Sequence, residues 1–209
     1  MELLDDQYPK IKSPLFHKDP FQLLVATILS AQCTDIQVNK VTPKLFERYA
    51  TPKEMAVANS RNLERIIHST GFFRIKARRI KEMSKKILGD FGGKVPDSMQ
   101  DLMTLPGVGR KTANIVLSAG FDRIEGIAVD THVQRLAGRI GLSKEKLPEK
   151  IEQDLMKITP KEMWPRLSLL LILHGRKICS ARKPLCDKCV LSNDCDYYRE
   201  KQQIAKVKP

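Results

Sequence analysis

A lysine and a carboxylate stand nineteen positions apart in this chain, each where a helix is expected to begin. Lys111 lies in L-P-G-V-G-R-K-T-A at 105–113. Periodicity predicts a helix over 110–119 with Ile115, Val116 and Ala119 on one face, which puts Lys111 in its first turn. The positive end of the helix dipole disfavours a cation there. The placement is therefore poor for stability but suits an amine that must lose its proton and act as a nucleophile. Helix position and desolvation are both expected to lower its pKa. Asp130, in V-D-T-H-V at 129–133, is a carboxylate at the mouth of another helix. It has a simple alternative role as an N-cap. Thr131 and Gln134, however, stand at capping-box spacing, which would leave Asp130 free for chemistry.

A second constellation is made of thiols. Cys179, Cys186, Cys189 and Cys195 have six, two and five residues between neighbours. Four cysteines in so short a stretch of an intracellular chain read as metal ligands, not as a disulfide framework. Zinc and an iron–sulfur cluster both accept four thiolates. Zinc sites usually show two C-x-x-C knuckles, and only one such pair is present.

Positioning Lys111 requires the stretch before it. Leu105-Pro106-Gly107-Val108-Gly109 separates two predicted helices. Asp97 to Gln100 has the capping-box pattern that starts the first, and Pro106 with Gly107 stops it. Gly107 and Gly109 lack a Cβ, so backbone N–H groups there can approach a phosphate closely. The second helix offers its positive end to the same anion. This is a helix-hairpin-helix, a sequence-independent grip on a nucleic-acid backbone. An ordinary helix–glycine–helix turn satisfies the same P-G-x-G pattern.

These motifs resemble the endonuclease III branch of the helix-hairpin-helix DNA glycosylases. The likeness rests on L-P-G-V-G-R-K-T-A, on V-D-T-H-V, on L-L-V-A-T-I-L-S-A-Q at 23–32 and on the cysteine spacing, and it covers nearly the whole chain. It implies that Lys111 is the Schiff-base nucleophile and Asp130 the catalytic carboxylate. It implies a [4Fe–4S] cluster, structural in role, on Cys179, Cys186, Cys189 and Cys195. It also implies DNA contacts from the hairpin residues Leu105, Gly107, Val108, Gly109 and Arg110. Gln32 would reach into the duplex near an extruded nucleotide; without the resemblance it reads as a residue at a helix end. Arg182 and Lys183, in the first loop of the cluster, would meet phosphates or else be plain surface charges. The implied activity is a DNA glycosylase with abasic-site lyase action on oxidised pyrimidines. The implied partner is double-stranded DNA with damaged bases or abasic sites, bound by a monomer. The alternatives are a mismatch or other-base glycosylase on the same scaffold and a non-catalytic iron–sulfur DNA-binding protein.

Composition agrees with a polyanionic partner. The 209 residues carry 37 Lys+Arg against 24 Asp+Glu, a net charge of +13. The first 100 residues hold 17 basic and 11 acidic side chains and the rest 20 and 13, so the excess is not a basic tail. Residues 74–86 hold seven Lys or Arg and one Glu, a face expected to contact phosphates. The first twenty residues have scattered charges and no apolar core, so no signal peptide is expected. The longest apolar run, at 167–173, is too short for a bilayer. A soluble intracellular protein with no membrane partner is the expectation.

Taken in order, Asp19-Pro20 starts a buried helix through Leu29. Cys33 reads as a buried small hydrophobe, and Thr34–Gln37 as a capping box. Pro43 should break or kink the segment after Val41. Thr51–Glu54 opens another helix with a capping box, and Ser60–Ser69 forms one more. A basic helix with Ile80, Met83 and Ile87 buried should end at Gly89. A helix over 131–139 ends at Gly141, an amphipathic one covers 148–157, and one capped by Thr159–Glu162 ends at Gly175. Residues 199–209 read as a loose tail. Strand signals are nearly absent. The predicted class is all-α. The resemblance divides it into a six-helix barrel at 15–124, with the hairpin at about 98–119, and a helical domain from 1–14 and 125–209 carrying the cluster loop. It also implies a DNA-binding cleft between these domains.

Overall fold

The computed structural model describes residues 1–11 and 14–207. The chain is all-α as expected, with no strand among the described residues. It divides into two compact units, one formed by Ser13–Glu125 and the other by Met1–Lys12 with Gly126–Pro209.

The Ser13–Glu125 unit is built on α2 (Pro20–Leu29). Asp19 caps it by accepting from the Gln22 amide at 2.8 Å, and Pro20 takes the first helical position. Every residue from Phe21 to Leu29 is buried, because α2 runs through the middle of its unit against α3 (Asp35–Arg48), α6 (Phe73–Phe91) and α8 (Arg110–Phe121). Each fully buried leucine of this helix contributes roughly 1.5–3 kcal/mol through apolar burial. Around it lie α4 (Pro52–Ala56), whose Thr51–Glu54 capping box forms in both directions, α5 (Ser60–Ile67) and α7 (Met99–Met103).

Several boundaries differ from expectation for identifiable reasons. Pro43 lies inside α3, which continues to Arg48. The burial of Val38, Val41 and Leu45 on either side outweighs the hydrogen bond that proline removes. At its start Thr34 accepts from the Gln37 amide, but the Gln37 side chain donates to Ser69 instead of completing the box. Gly89 is helical, and α6 ends at Gly92, where φ is +58° and the left-handed conformation closes the helix. Cys33 is half-buried at the edge of the core, not enclosed in it.

In the other unit α1 (Glu2–Gln7) packs on α11 (Trp164–Lys177), and α9 (Thr131–Ile140) packs on α11, α10 (Pro148–Ile158) and α12 (Asp196–Val207). Leu4, Val133, Leu136, Ile151, Leu155, Leu170 and Leu171 form its core. Gly175 does not end α11, which runs on to Lys177. It is a matter of space: a Cβ there would stand 3.0 Å from both Arg135 Nη2 and His132 Nδ1. Of the expected loose tail, residues 208–209 lie outside the described residues and 199–207 belong to the helix α12. The guanidinium of Arg139 lies 4.7 Å from the Tyr197 ring centre and fastens its first turn.

Candidate functional site

The hairpin is assembled by α7 and α8. Ser98, one residue later than the predicted cap, accepts from the Asp101 amide at 3.1 Å and starts α7. Asp97 instead pairs with Arg123 at 2.9 Å. Leu105 and Val108 are 2% and 7% exposed, so their side chains root the turn in the core and leave only their backbone for an outside partner. Gly107 has φ +84°, the left-handed region, and a Cβ there would lie 3.2 Å from Arg79 Cδ. A Cβ on Gly109 would meet nothing within 4 Å, so the turn faces open space at that point. Among the described residues the amides of Gly107 and Gly109 have no acceptor. They remain available to an outside anion at the N-terminus of the twelve-residue α8.

Lys111 stands in the first turn of α8, where no acidic residue accompanies it. It is exposed, so the desolvation expected from the sequence is absent within this unit. No hydrogen bond or ion pair engages its ammonium among the described residues. The buried face of α8 is Ala113, Asn114, Val116 and Leu117, while Ile115 is half-buried and Ala119 exposed.

Gln32 lies in the α2–α3 joint, exposed, with φ +51°. Phe72 also has a left-handed backbone, φ +48°, and is 60% exposed. Both turns are tied to one buried cation. Lys76 Nζ donates to Leu29 O at 2.8 Å and to Thr70 O at 2.7 Å. Burial pushes the Lys76 amine below its ordinary pKa. Lys76 is therefore not part of a phosphate-facing surface. Nor is the α6 basic face uniformly free. Lys81 donates to Ala58 O at 2.6 Å, Lys86 pairs with Asp90 at 2.6 Å, and Arg78 lies 3.9 Å from Glu82.

Asp130 belongs to the Met1–Lys12 and Gly126–Pro209 unit. The stretch of chain before it is fixed by two buried bonds. The Ile127 amide donates to Glu152 at 3.2 Å, and the Ser168 hydroxyl donates to Ala128 O at 2.7 Å. Asp130 is the N-cap of α9, its Oδ1 accepting from the His132 and Val133 amides at 2.8 and 2.9 Å. The Thr131–Gln134 box does not form, because the Gln134 side chain donates to Lys146 O instead. The cap occupies one carboxylate oxygen and leaves Oδ2 outside those bonds.

Cys179, Cys186, Cys189 and Cys195 line one small hollow with Ile178, Pro184, Leu185, Ser192, Tyr197 and Tyr198. Burial pushes the Cys186 and Cys189 thiols up, and the neighbouring cysteines add to it. Two nitrogens face the sulfurs: Arg139 Nη1 donates to Cys179 Sγ at 3.3 Å, and His174 Nε2 is 3.2 Å from Cys189 Sγ. Arg139 also holds the first loop through Ser180 O at 2.8 Å and Ala181 O at 2.7 Å. Arg182 and Lys183 are exposed on that loop.

Residues 25–161 match the model of the HhH-GPD superfamily base excision DNA repair proteins, and 179–195 match the iron–sulfur binding domain of endonuclease III. The chain is 51% identical to endonuclease III of Synechocystis sp. over 92% of its own length and 88% of that protein. With endonuclease III of Thermotoga maritima the identity is 44%, over 90% and 89%. The chain belongs to the endonuclease III family. A solved non-covalent endonuclease III–DNA complex superimposes with a TM-score of 0.91 at 41% identity, covering 97% of this chain and 94% of that one. A trapped endonuclease III–DNA covalent intermediate matches with the same score and identity, covering 96% and 94%. As a member of this family the chain is a base excision repair DNA glycosylase and abasic-site lyase.

The cofactor of the family domain is a [4Fe–4S] cluster, and the cysteine hollow fits it. Four thiols surround one hollow, the ligand set of a cubane with one thiolate for the iron at each corner, and the positive charge of the irons would keep those thiols deprotonated. No helix among the described residues is long and apolar enough to cross a membrane.

Sequence reading missed the residues behind the ligands. His174 follows the apolar run L-L-L-I-L directly, and a polar residue there signals a buried polar contact. Arg139 and Lys76 gave no signal, since one surface-type cation looks like another until its partners are known.

Proposed function

We propose that this glycosylase/lyase removes oxidised pyrimidines from duplex DNA, with Lys111 as its nucleophile and Asp130 as its carboxylate. The observation that carries the reading is Lys111 itself. It is an exposed, unpaired amine in the first turn of α8, two and four residues after glycine amides that lack acceptors. Those amides and the α8 dipole would hold a phosphate, with Arg110 beside them, and the amine would then stand close to a sugar. A similar endonuclease III has been trapped as a covalent intermediate with DNA, which supports a covalent route.

The chemistry follows from the groups. The target nucleotide leaves the stack so that its C1′ is accessible. The Lys111 nitrogen attacks C1′, the N-glycosidic bond breaks, and the base departs with the bonding pair and takes up a proton. Loss of the second amine proton with opening of the sugar ring gives an imine. The imine acidifies C2′–H. Removal of that proton expels the 3′ phosphate oxygen by β-elimination, and water then releases the lysine. Asp130 stabilises the cationic sugar through its negative charge and exchanges protons through the oxygen not engaged in capping. Gln32 contacts the duplex beside the vacated position, and Arg182 and Lys183 meet the backbone. Cys179, Cys186, Cys189 and Cys195 would hold the cluster, which would fix the loop that carries Arg182 and Lys183. The protein acts as a monomer.

Substrate class is tested on duplexes carrying thymine glycol, a uracil mismatch, adenine opposite oxidised guanine, or a bare abasic site. Incision of the thymine glycol and abasic duplexes, with the adenine duplex untouched, is expected. Preferential release of uracil or thymine from mismatches, with thymine glycol left intact, would replace the oxidised-pyrimidine reading by the mismatch one.

A further inference from the structure

Behind the cluster loop two buried side chains lead in line to half-buried Cys189. Tyr8 Oη is 3.1 Å from His174 Nδ1, and His174 Nε2 is 3.2 Å from Cys189 Sγ. Tyr8 and His174 are 8% and 1% exposed. Their rings stand edge-on, with centres 6.0 Å apart, and Lys177 Nζ lies 5.6 Å from the centre of the Tyr8 ring. Three separate pieces of chain therefore meet here: the C-terminal end of α1, the buried face of α11, and the cluster loop.

Hydrogen-bond chemistry fixes the direction of this line. As a cluster ligand Cys189 is a thiolate and can only accept. Nε2 must then carry the hydrogen, and in the neutral imidazole Nδ1 must accept, which the Tyr8 hydroxyl satisfies by donating to it. Each ring nitrogen thus has a partner that suits one tautomer only, the arrangement by which groups behind a metal ligand fix its surroundings.

We propose that His174 is a positioning residue for the cluster, donating its Nε2–H to Cys189 with Tyr8 holding the tautomer, and that this bond raises the reduction potential of the cluster and slows its oxidative loss. The proposal rests on Cys189 being a ligand. A donor at a cluster sulfur stabilises the more negative, reduced form more than the oxidised one, so its removal lowers the potential. Arg139 at Cys179 does the same from α9, so His174 supplies part of the effect.

The test uses the cluster-loaded protein. Iron per chain is measured first, because a wild-type protein without iron would sink the ligand assignment and not this inference alone. The midpoint potential of the cluster is then measured by protein-film voltammetry. The Fe–S(Cys) stretching bands are recorded by resonance Raman in H₂O and D₂O. His174→Leu is expected to have a lower potential, faster bleaching in air, and a smaller deuterium shift of one Fe–S(Cys) band. His174→Gln, which keeps a donor, should recover part of each. Tyr8→Phe, which keeps the ring and its packing, should fall between wild type and His174→Leu. Wild-type potential and wild-type deuterium shift in loaded His174→Leu would overturn the proposal. If His174→Leu does not load, the same wild-type values in Tyr8→Phe would overturn it.

Discussion

Asp130 caps α9 and is proposed to supply a negative charge to the reaction, and substitutions separate the two roles. Its Oδ1 caps α9 through two amides, a bond an asparagine oxygen can also make. The chemistry assigned to it needs a negative charge. Asp130→Asn should therefore keep the urea midpoint and duplex binding while losing base removal by a hundredfold or so. Asp130→Ala should also lose about 1 kcal/mol of stability with the cap. Near-normal turnover by the asparagine variant would reduce Asp130 to its capping role. The sequence made Asp130 conspicuous but misread its surroundings. Thr131 and Gln134 have the spacing of a capping box, and that pattern cannot tell which of two adjacent acceptors the helix takes. Lys111 was legible from its place behind P-G-x-G, because a lysine there opposes the helix dipole. Its lack of burial was not legible, since exposure depends on what the rest of the chain folds over it.

The hairpin belongs to the scale of elements. Both ends of its turn are rooted by Leu105 and Val108 in the core, which leaves the backbone of Gly107 and Gly109 to face outward. Gly107→Ala should strain the turn, since its φ is +84° and Arg79 Cδ would stand 3.2 Å from the new Cβ. A loss of roughly 1–2 kcal/mol in urea unfolding is expected. Weaker duplex binding should accompany it, measured by fluorescence anisotropy. An unchanged midpoint with unchanged binding would mean that the turn relaxes freely and does not grip a backbone. Helices with a capping residue, such as α2 and α4, or with an apolar stripe, such as α6, were readable from sequence. Their ends were less so. Gly89 and Gly175 are interior, because a lone glycine ends a helix only where the next turn departs from it. α12 formed from a stretch that looks polar all round, because Tyr197 packs beneath Arg139, a contact that local periodicity does not record.

For the whole molecule the net charge of +13 is spread over both halves of the sequence. Part of it is committed inside the fold, Lys76 and Lys81 to carbonyl oxygens and Lys86 to Asp90. Binding to undamaged duplex should still weaken steeply with salt; for about six neutralised phosphates the loss is roughly a thousandfold between 50 and 200 mM. A flat salt titration would contradict backbone contact. The central claim is that Lys111 attacks the sugar, and borohydride trapping tests it most directly. Borohydride reduces an imine irreversibly, so enzyme incubated with a thymine glycol duplex should become fixed to the DNA, with the crosslinked peptide mapping to Lys111. Lys111→Gln should bind the duplex, since the Gly107 and Gly109 amides do not need the side chain, yet give neither crosslink nor strand cut. A crosslink at another lysine, or base release with no trapped species, would contradict the account.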